Sequence, residues 1–429
     1  MTLLHSVSII NCPLLTMHIL LIHQAFTALD EPGGTRHYEF ARTLALQGHR
    51  VTVIASPVSY LTGEKTPVRL PPFSPKIAGE KEEGGVTILR AYAFAALHKS
   101  SVHRVFAFVS FMTSSFFIGL GVKNVDVVWG TSPPIFQGVT AWLLARIKRI
   151  PLLFEVRDLW PIFAIAVGVL TNPTLIKLSF WLERFLYRHA DRVMVNSPGY
   201  VTHVTEHGAG RVELVPNSAD PEMFDPTNGG LAFRSTNHLE DKFVVLYAGA
   251  HGLSNDLGVV LAAAKILPDM KAPFEIAIIF LGDGKEKPAL QKLAAGMNLN
   301  NVLFLPPVAK TGMAEVLAGA DACLAILKPL EEYKTTYPNK VFDYMAAGRP
   351  VVIAIDGVIR AVVEAAGCGI FAQPGNPTAL AEAILKLSAN KHEARIMGNR
   401  GRKYLEEHFS RVVIAEKLAN VLEEMAAGR

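Results

Sequence analysis

"YPNKVFDYMAAGRPVVIA", residues 337–354, decides how this chain folds. Pro338 suits a first helical position, with Thr336 as a cap just before it. Gly348 can take the left-handed conformation that ends a helix, and Pro350 prevents the helix from resuming. Residues 351–355 then read as a buried strand. The helix so bounded starts just after another strand candidate, "DACLAIL" at 321–327. In an open α/β sheet that edge is where ligands bind. Lys340 and Asp343 share one face of the helix, and a core helix has no need for such a pair. A cation and a hydroxyl-accepting carboxylate near a positive helix terminus suit a phosphorylated sugar.

Working outward, strand and helix patterns alternate along the chain. "MHILLIH", "RVTVIAS", "VDVVWGTS", "PLLFEVRD" and "RVMVNS" read as strands separated by helices such as "GGTRHYEFARTLALQG". The pattern then restarts with "KFVVLYAGA", "FEIAIIFLGDG", "NVLFLPPV", "DACLAIL" and "PVVIAID". Each set predicts a doubly wound parallel sheet. The segment between them, rich in Pro, Asn, Gly and Asp, reads as a linker. The expected architecture is α/β, with two facing Rossmann-like domains and a cleft between them. The first covers 17–220, the linker 221–241 and the second 242–400, with helices over 401–429 expected to cross back to the first domain.

A chain of 429 residues can bury a large core, but 50% hydrophobic and 19% charged residues with a mean hydropathy of +0.28 lean apolar for a soluble enzyme. Net charge +4 and a pI near 8.8 fit an anionic membrane face or a phosphorylated ligand. There is no dense basic tract of the kind nucleic acid requires. Three scattered cysteines, Cys12, Cys323 and Cys368, argue for a reducing compartment. Residues 1–16 lack a basic start and a cleavage site, so they read as neither a secretion signal nor a span, and an over-long translation start is one account of them. Residues 105–122 run 18 positions without a charge. They read as a core helix, a membrane-docking helix or, at the lower limit of length, a span.

Each half opens with a strand running into a glycine-bearing loop. Gly33 and Gly34 in the first, and Gly249, Gly252 and Ser254 in the second, allow close approach of backbone N–H groups to a phosphate or sugar. Neither loop is G-x-G-x-x-G, which counts against a dehydrogenase. "FEVRDLWP" places Glu155, Arg157 and Asp158 at a strand's carboxyl end, pointing into the cleft or closing the strand as an Arg–Asp pair. Asn217 and Asp220, beside the linker, serve as ligand contacts or as ordinary turn residues. His23 ends the first strand on the cleft side, whereas His49 reads as a strand-start residue. No His/Glu spacing forms a metal site.

With these residues assembled, the chain resembles the retaining family 4 glycosyltransferases of the GT-B fold. It looks most like the bacterial polysaccharide branch containing N-acetylfucosamine and colanic-acid transferases. The Gly33–Gly34 loop with "ALQGHRVTVIA", then "TSPP", "FEVRDLWP", "VPNSADPEMF", "YAGAHG", "FLGDG" and "PNKVFDYMAAGRPVV", carry the resemblance from about Met17 onward. It implies transfer from a nucleotide sugar, most simply a UDP-sugar, to a saccharide or lipid-linked acceptor at the inner face of the cytoplasmic membrane, without a metal or other cofactor. Donor contacts would come from Gly34, Gly249, His251, Gly252, Ser254, Lys340 and Asp343, with Lys340 also meeting the departing diphosphate. Acceptor contacts would come from Gly33, Arg157 and Asn217. Asp343 takes the place of the second Glu of the family's E-x7-E signature, which holds the ribose. Eight residues earlier stands Thr335 where the first Glu is usual, and Ala250 and His251 stand where an Arg is usual. Asp158 falls near the place of a catalytic-site His. A UDP-sugar 2-epimerase of the same fold and a non-catalytic nucleotide-binding membrane scaffold are the alternatives.

Overall fold

The structure, a computed structural model, describes residues 16–58, 79–81, 85–94, 101–225 and 228–428. Cys12 and the first fifteen residues lie outside these. Two sheets form. The first contains β1 (His18–Ile22), β2 (Arg50–Ala55), β3 (Gly79–Lys81), β4 (Val86–Arg90), β5 (Val127–Ser132), β6 (Leu152–Val156), β7 (Arg192–Val195) and β8 (Val212–Leu214). Its order is β3-β4-β2-β1-β5-β6-β7-β8, parallel except for the antiparallel pairing of β3 with β4. The second contains β9 (Phe243–Ala248), β10 (Ile276–Leu281), β11 (Val302–Leu305), β12 (Ala322–Ile326), β13 (Val351–Ala354) and β14 (Gly369–Phe371). It is ordered β11-β10-β9-β12-β13-β14 and is parallel throughout.

Both sheets are covered on both faces, which is why their strands read as near-continuous apolar runs. Along β1, Ile19 and Leu21 enter one core layer with Val51 and Val53, while Leu20 and Ile22 enter the other with Ile54 and Val128. The second sheet divides the same way, Val244 and Leu246 on one side and Val245 and Tyr247 on the other. Cys323 and Cys368 are buried free thiols.

The helix Ser101–Gly121 takes in most of the uncharged run. Ala107, Phe111 and Ser115 are buried, and Gly119 lies so close to the helix Phe136–Lys148 that an added Cβ would meet Leu144 at 2.4 Å. Its outer face, with Val105, Phe106, Val109, Phe117 and Leu120, is exposed. Among the described residues no helix is long and apolar enough to cross a membrane.

The expected linker holds a helix of its own, Leu231–Thr236, docked where Phe233 meets Gly319. The expected division at residue 400 falls inside a single helix, Lys391–His408, which stays with the second sheet. Gly398 of that helix packs against the Gly348 carbonyl, and the Arg402 guanidinium donates to the carbonyls of Ala346 and Phe224 at 2.6 Å. The next helix, Arg411–Ala427, crosses to the first sheet and places Ile414, Leu418 and Leu422 against Met17, Ile19 and Phe40.

At this crossing, Arg411 donates to Glu39 Oε2 at 2.9 Å and to the Ser218 hydroxyl and carbonyl at 2.7 Å, all buried. Burial alone would raise the Glu39 carboxyl, but Arg411 and Lys310 hold it below the usual range. Removing one member of such a pair leaves an uncompensated buried charge. Arg411→Met should therefore cost about 3–5 kcal/mol in urea unfolding followed by tryptophan fluorescence. A loss below about 1 kcal/mol would place this pair with weak surface bridges.

Candidate functional site

The candidate site lies beyond the carboxyl ends of the second sheet's strands, where β9 runs into residues 249–254. Gly249 has φ 141° and Gly282 has φ 142°, a region that side chains avoid. A Cβ on Gly282 would sit 2.0 Å from the Gly249 carbonyl oxygen, so two loops cross with no room for a side chain. The Gly249 N–H donates to the Leu281 carbonyl and the His251 N–H to the Asp283 carbonyl. Those two amides are therefore committed to the fold, which corrects the expectation that the whole loop is open to a phosphate. Among the described residues, the N–H groups of Gly252, Leu253 and Ser254 have no protein partner.

Lys340 comes from the helix Asn339–Ala346 and reaches back under this loop. Pro338 is the extended residue that caps the helix and not its first turn, and Thr336 contributes no cap. The predicted end holds, with Gly348 left-handed at φ 64°. The Lys340 ammonium lies 3.7 Å over the Tyr247 ring and 2.9 Å from where a Cβ on Gly249 would be. It is buried and has no hydrogen-bond partner. Burial lowers its pKa to about 7. A buried cation without an anion is costly unless something brings the anion.

Asp343 does not pair with Lys340. Its Oδ1 accepts from Lys310 Nζ at 2.5 Å, and Lys310 in turn lies over the Phe224 ring. The His251 ring is fully buried among Tyr247, Phe280 and Phe304. Burial first, then Lys287 and Lys340, lower it to about 4. It packs the floor of the loop and does not face the cleft. The Ser254 hydroxyl accepts from the Tyr333 hydroxyl at 2.6 Å.

On the first-domain side, Asp158 follows β6 closely and is exposed. Desolvation raises its carboxyl to about 6 against the opposing pull of Arg157. The Arg157 guanidinium donates to the Pro133 carbonyl at 2.8 Å, so no Arg157–Asp158 pair closes the strand. Glu155 is not in the cleft. It is fully buried, accepting from Arg36, His37 and Trp129 at 3.1, 2.7 and 3.0 Å. His23 is buried too, its ring tilted 31° against that of His37 with centroids 3.9 Å apart, and it is bonded to the Thr131 hydroxyl. Gly33, with φ 151°, leaves just enough room for Thr27, whereas Gly34 faces open space. Their loop touches the second domain, where the Thr311 N–H donates to the Leu29 carbonyl.

Two expected ligand positions join the domains instead. Asn217 is buried, and its side-chain amide donates to the Tyr337 carbonyl at 2.6 Å, one residue before Pro338. The Thr335 carbonyl accepts from the Ser197 hydroxyl, and Thr336 meets the Tyr200 hydroxyl. A Cβ on Gly199 would lie 2.5 Å from Thr335, so the backbones abut here. Sequence reasoning missed Lys310, Tyr333 and Ser197, none of which sits in a recognisable pattern.

Two doubly wound sheets with a lysine-floored, glycine-walled cleft define the GT-B class. Residues 33–218 match the glycosyl transferase 4-like domain and residues 242–390 the glycosyl transferases group 1 model, and the chain belongs to this family of glycosyltransferases. WcaI of Escherichia coli (strain K12), named as a colanic acid biosynthesis glycosyl transferase, is 25% identical over 331 residues, covering 74% of this chain and 78% of that one. Sucrose-phosphate synthase from Thermosynechococcus elongatus superposes with a TM-score of 0.78 at 19% identity, covering 96% of this chain and all of that one. Anabaena HepE, in complex with UDP-glucose, superposes with a TM-score of 0.69 at 17% identity, covering 95% of this chain and 100% of that one.

The lysine has a measurable signature in the free protein. Its amine titrates at about 7 when folded and at 10.5 when unfolded, so between these values the unfolded chain binds the extra proton and stability rises with pH. Lys340→Met removes the cost of burying that amine and should stabilise the protein at pH 7 and below, by at most the roughly 4–5 kcal/mol that such a shift is worth, with the gain fading toward pH 10.5. Thermal unfolding of both proteins across that range measures it. A destabilised variant at pH 7 would mean that the ammonium has a partner in the fold.

Proposed function

We propose that this glycosyltransferase takes a UDP-sugar as donor and transfers its sugar, with retention, to a saccharide or lipid-linked saccharide in cell-surface polysaccharide synthesis. The observation that carries the reading is the buried, unpartnered Lys340 ammonium behind Gly249. A donor diphosphate supplies the anion it lacks. The free N–H groups of Gly252, Leu253 and Ser254 add neutral donors to the same charge.

In the transfer, the bond between the anomeric carbon and the diphosphate oxygen breaks and the electron pair leaves with the diphosphate. The acceptor hydroxyl forms the new bond on the same face, and its proton passes to the departing phosphate oxygen. Lys340 and the loop amides stabilise the charge that develops there, so the step needs no protein nucleophile and no metal. In this reading Asp158, its carboxyl raised to about 6, orients the acceptor hydroxyl, and Asp343, held by Lys310, accepts from the ribose. Thr335 is committed to the domain contact, so the family's first Glu has no counterpart in this chain at that position.

Calorimetric titration with UDP, GDP and NAD tests this. UDP should bind, and Lys340→Ala should weaken it roughly ten- to a hundredfold, the worth of a hydrogen bond to a charged group. Asp343→Asn should weaken it less. Wild-type affinity should fall above pH 7, as the free amine loses its proton. Absence of binding to any nucleotide, or binding that Lys340→Ala leaves intact, overturns the donor site.

We further propose that the first domain rests on the inner face of the cytoplasmic membrane. The helix Pro173–His189 exposes Leu175, Leu178 and Trp181, with Lys177, Arg184 and Arg188 lining the pocket beside Trp181. An apolar ridge flanked by cations suits an anionic bilayer surface. In co-sedimentation with vesicles of mixed anionic and zwitterionic lipid, Leu178→Ser with Trp181→Ser should reduce the bound fraction severalfold. Equal binding of both proteins removes this face from the proposal.

A further inference from the structure

Three side chains outside the cleft come together although no sequence spacing announces them. Glu183 projects from the helix Pro173–His189, His203 from the helix Val201–Glu206, and His207 follows that helix directly. One potential ligand atom of each lies within 4.8 Å of the others.

The carboxylate is the informative member. Glu183 is fully buried, and its Oε1 accepts from the Tyr187 hydroxyl at 3.0 Å and from His203 Nε2 at 2.8 Å. Its other oxygen, Oε2, is buried with no hydrogen-bond partner. Leaving a carboxylate oxygen unmatched away from water costs free energy that a neighbouring cation would remove. The histidines are set up to help. His207 Nδ1 lies 2.8 Å from the His203 carbonyl and must carry a proton to donate there, which leaves the Nε2 lone pair for a metal. The two imidazoles stack with centroids 3.9 Å apart, so both are presented to one side.

We propose that Glu183, His203 and His207 bind a divalent ion of the zinc class. One carboxylate oxygen and two imidazole nitrogens are a zinc, cobalt or nickel set, whereas magnesium and calcium demand oxygen. Lys177, Arg184 and Arg188 line the pocket that His207 also borders, and their charge further disfavours an ion held by electrostatics alone. Ligands about 2.1 Å from a tetrahedral zinc stand roughly 3.4 Å apart, so a small rotation of the half-buried His207 ring closes the set.

The position gives the ion a structural task. Residues 198–200, where Gly199 abuts Thr335 and Tyr200 meets Thr336, lead directly into the helix that carries His203. A bound ion would fasten this helix to the helix Pro173–His189 and stiffen the ledge on which the second domain rests.

The test uses the full chain, stripped with a chelator and then titrated with Zn2+, Co2+ and Mg2+. One Zn2+ should bind per chain and raise the Tm. Co2+ should give the intense visible absorption of a low-coordinate site, and Mg2+ should do neither. His207→Gln and His203→Gln should each weaken Zn2+ binding at least a hundredfold and abolish the cobalt spectrum. In chelator the Tm of His207→Gln should match that of the stripped wild type, which separates ligand loss from misfolding. Unchanged Zn2+ affinity in both variants, or no binding by the wild type, overturns the site.

Discussion

Glu155 is the buried charge around which the first domain closes. Desolvation alone would raise its carboxyl, but His37 and Arg36 hold it at about 2. His37 itself is lowered to about 4 by burial, so at neutral pH it donates as a neutral imidazole and Arg36 carries the compensating charge. The Arg36 guanidinium also donates to the carbonyls of Val215 and Pro216 at 2.8 and 2.7 Å. One ion pair thus fixes the start of the helix Arg36–Leu46, the end of β6 and the segment leading into the linker. That segment's next residue is Asn217, which holds the Tyr337 carbonyl at the start of the Lys340 helix. A chain of contacts therefore runs from the heart of one sheet to the cation of the other.

The cleft floor depends on a different constraint, the absence of side chains. Gly249, Gly282 and Gly284 let two loops cross at backbone distance, a Cβ on Gly284 meeting the His251 carbonyl at 2.4 Å. The crossing spends the amides of Gly249 and His251 on the fold and leaves those of residues 252–254 facing outward. Lys340 can then lie under Gly249 with its ammonium over the Tyr247 ring. Strand ends, glycines and lysine form one unit, and each would be mispositioned without the others.

Much of this was legible in the sequence. The ten strands read from apolar runs are all present, because strands buried on both faces cannot hide their composition. The short edge strands β8 and β14, with three residues each, carry too few positions for such a pattern. The helix Leu231–Thr236 sits in a stretch whose glycines and asparagines mark turns, and docking against Gly319 overrides that local preference. That Gly249 and Lys340 come together was readable, because both were placed at the carboxyl edge of the second sheet, and the structure brings them into contact there. The places of Glu155 and His23 were not readable. A charged residue at a strand's end looks the same whether it turns into the cleft or is swallowed by Arg36 and Trp129, and only the third dimension decides. Glu183, His203 and His207 were hidden for the same reason, since their partnership spans two helices.

The helix Arg411–Ala427 has a consequence for how the molecule is made. Ile414, Leu418 and Leu422 fill a seam in the first domain beside Met17 and Phe40, yet the ribosome delivers them after every strand of both sheets. During translation the first domain must wait, its seam uncovered, while the second is built. The first domain is thus finished by a helix that emerges only after the whole second sheet, and the nascent protein needs protection of that apolar surface for the time it takes to synthesise residues 242–427.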